Sequence, residues 1–170
     1  WLGGFESACQ INTRQQRIDM IAATQHDVQA RGDYALMSRL GLRAARDAIR
    51  WTRIETAPGR YDFASLAPML DAAQDADVQV IWNLCHYGWP DFIDFWSSDF
   101  ITSFARFAQA TAEFVRKRSN AVPFYTPVNE ISYLSWAIGT KGTIHPVTLG
   151  RGWDAKCQLV KASLAAMDAI

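Results

Sequence analysis

The sequence has little that favours a nucleic-acid or membrane partner. Lysine plus arginine and aspartate plus glutamate each number 17, and no block of one sign is long enough to create a strongly charged surface. No stretch reaches the about 18 consecutive apolar residues that a membrane-spanning helix needs. We therefore expect neither nucleic acid nor a membrane as a partner, and we predict a soluble, cytoplasmic protein.

Patterns for metals, cofactors and disulfides are also missing. Cys9, Cys85 and Cys157 are widely spaced, with no pair at metal-ligand or redox spacing, so packed free thiols are expected. His26 and His145 have no histidine four residues away and no cysteine at ligand spacing. The sequence contains neither a dinucleotide-binding Gly-x-Gly-x-x-Gly nor a nucleophile-elbow Gly-x-Ser-x-Gly. We expect no metal and no cofactor.

What the sequence does have is enough apolar surface for a core, arranged in alternating short and long segments. Of its 170 residues, 49% are hydrophobic and 20% are charged. Helical periodicity predicts amphipathic helices over 34–40, 66–76, from Phe100 onward, and over 157–170. Ser98 is a candidate cap for the third helix. The residues predicted to face inward are Phe100, Phe104, Phe107, Thr111 and Phe114 on that helix, and Val160, Leu164 and Met167 on the last.

Short apolar runs over 5–9, 44–51, 78–84 and 124–128 predict strands between the helices. Four strand–helix repeats indicate a buried parallel sheet, in either an open doubly wound fold or a (β/α)8 TIM barrel. Polar residues follow the runs at Gln10, 50–53, 86–89, Asn129 and Glu130, where a barrel carries its reactive groups. A barrel needs about 250 residues. Residues 1–170 are thus predicted to form its first four units, the N-terminal half of one domain without an internal boundary.

Glu130 is the leading catalytic candidate. It directly follows Asn129 at the end of a predicted strand, where partial desolvation favours the protonated carboxyl that a proton donor needs. The alternative is an ordinary glutamate in a surface loop, and position alone does not separate the two interpretations.

Four segments stand in order along the chain: "GGFESACQIN", "LGLRAARDAIRWTRIE", "NLCHYGWPDF" and "TPVNEIS". In order and spacing they resemble the first four strands of the (β/α)8 retaining glycoside hydrolases with Asn-Glu on strand 4, most closely the family 1 β-glucosidases. The second segment is similar to that family's second-strand pattern "YRFSISWSRI", the third resembles its third-strand "LFHWDLP", and the last is similar to its strand 4 motif. The segment "GRYDFASLAPMLDAAQDADVQVIW" is also similar to β-galactosidases and other families of the same clan.

The resemblance implies hydrolysis of β-glycosides with retention by double displacement. Glu130 would be the acid/base, Asn129 would contact the sugar 2-hydroxyl, and Arg46 would orient the nucleophile. The sugar-binding positions that it implies are Gln10 and His86. The rings of Tyr87, Trp89 and Trp136 are candidates for a sugar-stacking wall, with packing in the core as the alternative for each.

The chain departs from the family in two ways. Ile131 stands where the family usually has proline, and no acid in the sequence matches the seventh-strand nucleophile. We therefore expect a truncated segment that is inactive alone, with a carbohydrate substrate and the C-terminal half of the same barrel as partners. The alternatives are an inactive carbohydrate-binding barrel, lectin-like or regulatory, and a barrel enzyme of another class.

Overall fold

The computed structural model describes residues 1–119 and 121–170 and contains a four-stranded parallel sheet. The strands in chain order are β1 Leu2–Gly4, β2 Ala44–Ala48, β3 Glu55–Ala57, β4 Arg60–Tyr61, β5 Gln79–Cys85 and β6 Phe124–Val128. The sheet has the order β1-β2-β5-β6, while β3 and β4 form a separate antiparallel ribbon. Because each crossover leads to the adjacent strand and all four strands are parallel, their carboxyl ends meet at one edge.

Helices join the strands of the sheet. They are α1 Met20–Ala23, α2 His26–Arg39, α3 Trp51–Ile54, α4 Ala67–Asp75, α5 Ser98–Arg118, α6 Ile131–Trp136, a π-helical turn Ala137–Lys141 and α7 Gly152–Ala169. Every helix in the described ranges is too short or too polar to cross a lipid bilayer.

The centre of the core is aromatic. Helix α5 buries Phe100, Phe104 and Phe107, and the Trp51 ring lies 5.1 Å from the rings of both Phe104 and Phe107. The predicted inward stripe of α5 is therefore confirmed, with Phe114 only partly buried. The predicted cap is wrong by one residue, because Ser97 precedes the helix and its side chain makes no capping hydrogen bond.

The first strand differs from its prediction over 5–9. It occupies Leu2–Gly4, and the Glu6 carboxylate accepts hydrogen bonds from the backbone N–H groups of Ser7 and Ala8, each at 3.0 Å. These local bonds use donors that a strand would direct to its neighbour. The predicted run continues as irregular chain, tied to β2 by the Phe5 N–H and to the end of β5 by the Cys9 N–H.

Two helix predictions also needed correction. Helix α2 begins at His26 rather than at residue 34, because its inward face is completed by a buried histidine that an apolar pattern does not detect. In α7 the predicted inward stripe is wrong, since Val160, Leu164 and Met167 are 40%, 55% and 62% exposed. The helix packs instead through a smaller set of side chains, Ala155, Leu159, Ala162 and Ala166.

Candidate functional site

A cleft of about 560 Å³ opens where the parallel strands bring their polar residues together. Five of the side chains that line it are joined by hydrogen bonds: Arg46 from β2, Asn83 from β5, Tyr87 from the loop after β5, and Asn129 and Glu130 directly after β6. We call these five residues the cleft cluster. The other residues of the lining are Gly3, Gly4, Phe5, Glu6, His86 and Tyr133.

Arg46 connects the strands of the cleft. Its Nη2 donates to Asn83 Oδ1 at 2.9 Å and to Asn129 Oδ1 at 2.5 Å. The backbone N–H of Asn129 donates to the Cys85 carbonyl at 3.0 Å, and its side chain is buried. Asn129 is thus fixed both by its backbone and by its amide oxygen.

Glu130 lies at the outer end of this network, at the start of α6. Its Oε2 accepts a hydrogen bond from the Tyr87 hydroxyl, and the Asn129 amide donates to the same hydroxyl at 3.0 Å. Glu130 is exposed, so the desolvation expected for an acid at a barrel mouth is not supplied by the described residues. Both Glu130 and Tyr87 have left-handed backbones, with φ of 46° and 69°.

His86 forms one wall of the cleft. Its Nδ1 is 2.9 Å from the Ser7 hydroxyl, which fixes the ring orientation. Burial lowers the pKa of His86, and Arg46 acts in the same direction, while the charges of Glu6 and Glu130 oppose them. The ring is therefore held neutral at neutral pH, with one nitrogen able to donate and the other to accept.

Three predicted sugar contacts do not line this cleft. Trp89 is buried, with its ring 5.1 Å from that of Phe95, so it lies in the core. Gln10 also lies away from the cleft, and its buried Oε1 has no hydrogen-bond partner among the described residues. Trp136 is 45% exposed on α6, with its ring 5.9 Å from that of Tyr133.

The comparisons with known proteins support the fold. No protein-family model and no curated protein matches the chain. Among solved structures, the AHE enzyme from Alicyclobacillus herbarius is similar with a TM-score of 0.76 at 24% identity, over 85% of this chain and 34% of that one. The β-glucosidase from Thermotoga maritima in complex with glucoimidazole gives a TM-score of 0.75 at 19% identity, over 85% and 34% of the two chains. A second structure, the family 1 β-glucosidase from Thermotoga maritima, gives 0.75 at 19% identity, over 84% and 34%.

These similarities establish a parallel α/β fold that is part of a (β/α)8 barrel, and the predicted fold class is confirmed. The chain spans about a third of the length of the solved structures that it matches, since it covers 34% of each. This chain is therefore similar in fold to a portion of the β-glucosidase structures.

Sequence reasoning did not identify three residues of the cleft: Glu6, Asn83 and Tyr133. Asn83 was detectable in principle, because an asparagine inside a buried strand needs a polar partner, and here that partner is Arg46. Tyr133 lies in α6, three residues after Glu130, with its ring 5.5 Å from that of Tyr87. No sequence pattern indicated Glu6, because its position in the cleft depends on where the first strand ends. In the described ranges, no group of three or more His, Cys, Asp or Glu side chains is arranged to hold a metal ion.

Proposed function

We propose that residues 1–170 form the N-terminal half of the catalytic barrel of a retaining β-glycosidase that resembles the family 1 β-glucosidases. The observation that carries this proposal is the cleft cluster, in which Glu130 and Asn129 follow β6 and meet Arg46 from β2 in one cleft. In the fold that this chain shares with β-glucosidases, the carboxyl ends of the strands carry the active site.

The reaction takes two displacements. Protonated Glu130 gives its proton to the glycosidic oxygen while a carboxylate from the other half of the barrel attacks the anomeric carbon, and the bond from that carbon to the oxygen breaks. The departing group leaves as an alcohol. Glu130, now a carboxylate, takes a proton from water, whose oxygen attacks the same carbon and releases both the sugar and the nucleophile.

The remaining cleft residues have supporting roles in this proposal. Asn129 binds the 2-hydroxyl of the sugar, Arg46 orients the nucleophile, and the neutral His86 forms a hydrogen bond with a ring hydroxyl. The ring of Tyr133, which lines the cleft, offers a surface on which a sugar can stack, whereas Trp136 lies beside it, outside the lining. The similar Thermotoga maritima enzyme was solved with glucoimidazole, which supports a carbohydrate-type ligand.

A second half of the same barrel is the proposed partner. β1 and β6 are the outer strands of the sheet, and Val160, Leu164 and Met167 form an exposed apolar stripe on α7. Further β/α units added beside β6 bury such a stripe and supply the nucleophile, which retaining chemistry places about 5–5.5 Å from the acid/base.

Substitution of Glu130 tests the proposal in the intact protein. Glu130→Gln is expected to slow hydrolysis of glycosides with poor leaving groups by about 10²- to 10⁴-fold, because these need protonation. Activated aryl glycosides should be slowed far less in the first displacement. The matched control is Glu113→Gln, an exposed glutamate on α5, which should leave both rates unchanged.

Equal slowing of both substrate types would remove Glu130 from the acid role. Binding of glycans by the intact wild-type protein without any hydrolysis would favour the alternative, a carbohydrate-binding barrel.

A further inference from the structure

We propose that Tyr87 is a positioning residue that holds Glu130 in place through its hydroxyl group, rather than a ring on which sugars stack. This inference rests on the proposed function for its catalytic consequence, but the hydrogen bonds behind it are independent of that function. They run from Arg46 through Asn129 and Tyr87 to Glu130.

The direction of each hydrogen bond follows from the chemistry of the groups. A guanidinium only donates, so the Asn129 amide must present its oxygen to Arg46 and its NH₂ to Tyr87. The Tyr87 oxygen thus accepts from Asn129, which leaves its hydrogen for the Glu130 carboxylate. Burial, reinforced by Glu130, raises the pKa of Tyr87 above its ordinary value, so the phenol remains a donor at neutral pH.

The Tyr87 ring is itself confined. Its side chain is 7% exposed, and its neighbours are the His86 ring, edge-on at 4.6 Å, and the Tyr133 ring at 5.5 Å. A ring enclosed in this way has no free face for a sugar. The hydroxyl group, directed to Glu130, is its polar contribution to the cleft.

The backbone gives an independent reason to assign a role. Tyr87 and Glu130 have φ of 69° and 46°, a region that costs about 1–2 kcal/mol for residues other than glycine. Residues kept in such conformations cluster at functional sites, where the surrounding structure compensates for the strain. Here the two strained residues are hydrogen-bonded to each other across the cleft.

The consequence for catalysis is orientation of the carboxyl group. With Oε2 held by Tyr87, Oε1 is left to exchange the proton in both displacements. The titratable and charged groups that line the same cleft are Glu6, Arg46, His86 and Tyr133. Loss of the Tyr87 donor removes one hydrogen bond to the ionised form of Glu130 and leaves these charges in place.

The test is Tyr87→Phe in the intact protein, with Tyr61→Phe, in the ribbon outside the cleft, as the matched control. For glycosides with poor leaving groups, kcat should fall about 10- to 100-fold with little change in KM. Activated aryl glycosides, whose departure needs no proton, should be slowed less by the same substitution. Tyr61→Phe should change none of these rates. Equal slowing of both substrate types, or an effect on KM alone, would overturn the proposal.

A second readout separates this inference from the proposed function. In protein carrying ¹³C-labelled glutamate, the carboxyl carbon resonance of Glu130 at neutral pH should move in Tyr87→Phe, because the carboxylate loses a hydrogen-bond donor, whether or not the protein hydrolyses glycosides. If the resonance moves and the wild type is inactive, the positioning role stands and the hydrolase proposal fails. If it does not move, the positioning role fails.

Should Tyr87→Phe not fold, Glu130→Gln provides the test from the other side. The Tyr87 hydroxyl proton resonance is expected to move upfield when the carboxylate becomes an amide, since a neutral acceptor makes a weaker bond. A resonance that does not move would overturn the proposal.

Discussion

Arg46 and Asp47 are neighbours on β2, yet they belong to two polar clusters on opposite faces of the sheet. Arg46 enters the cleft cluster. Asp47 enters what we call the outer cluster, formed with His26, Asp33 and Tyr34 of α2. Because successive side chains of a strand point to opposite faces of the sheet, this dipeptide contributes one residue to each cluster.

The outer cluster is closed. Asp47 is fully buried; its Oδ2 is 2.6 Å from the Tyr34 hydroxyl and 3.0 Å from His26 Nε2, and its Oδ1 accepts the Ala48 N–H at 2.7 Å. His26 Nδ1 lies 2.7 Å from Asp33 Oδ2, and the Phe5 ring stacks on the imidazole at 3.8 Å. Both ring nitrogens face carboxylates, which only accept, so the geometry calls for a protonated imidazole.

The cleft cluster is open by contrast. It begins at the partly buried Arg46 and ends at the exposed Glu130, which lines the cleft and has a left-handed backbone. A hydrogen-bond network whose groups are paired with one another has no donor or acceptor left for a ligand. Its contribution is to the stability of the fold. A network that ends at a strained, exposed acid has such a capacity. The difference indicates that the cleft cluster, rather than the outer cluster, is associated with function. Three predictions test it.

The largest effect is expected in the outer cluster. Asp47→Ala leaves His26 and Tyr34 buried without their shared acceptor, and breaking a buried pair in this way costs about 3–5 kcal/mol in the free energy of unfolding. Urea denaturation of the intact protein measures it. Glu113→Ala, on the exposed side of α5, is the control and should change stability by no more than about 0.5 kcal/mol. A loss below about 1 kcal/mol for Asp47→Ala would contradict the assignment.

A smaller effect is the pH dependence that His26 gives to stability. Burial by itself lowers the pKa of His26, but hydrogen bonds and charges from Asp47 and Asp33 outweigh it and raise the pKa above the ordinary 6.5. A raised folded-state pKa stabilises fully below 6.5, and this contribution is lost as the pH rises through the higher value. The stability difference between wild type and His26→Gln should therefore shrink as the pH rises above 6.5. Asp33→Asn should weaken this pH dependence. A stability difference between wild type and His26→Gln that grows with pH would contradict the raised pKa of His26.

The two clusters also differ in how far the sequence could predict them. The strand–helix alternation predicted the parallel sheet, and a polar pair after a buried strand pointed to Asn129 and Glu130. The residue type of Tyr87 indicated a ring for sugar stacking or for packing, but not the direction of its hydroxyl, which depends on a loop conformation with positive φ. The outer cluster was not predicted at all, since His26 and Asp47 are 21 residues apart and meet only when α2 packs on β2.

The exposed stripe of α7 shows a related limit. Periodicity finds an apolar face, but it does not say which neighbour covers that face. Two faces of α7 are apolar, and the described structure covers the one with smaller side chains, which allow close approach to α5 and α6. The sequence therefore predicted the helix correctly, but it predicted the wrong face of the helix as the buried one.

The smallest effect expected is the release of strain at Glu130. Glu130→Asn and Glu130→Ala both lose the long carboxylate and its bond to Tyr87, but asparagine tolerates a left-handed backbone with φ of 46° better than alanine does. Glu130→Asn should therefore be more stable than Glu130→Ala by about 1 kcal/mol in urea denaturation.

The matched comparison is Asp47→Asn with Asp47→Ala. Both substitutions break the closed network, so both variants should be much less stable than wild type. If Glu130→Asn were no more stable than Glu130→Ala, the left-handed backbone would not be a strain that the cleft cluster maintains, and that part of the contrast between the two clusters would be lost.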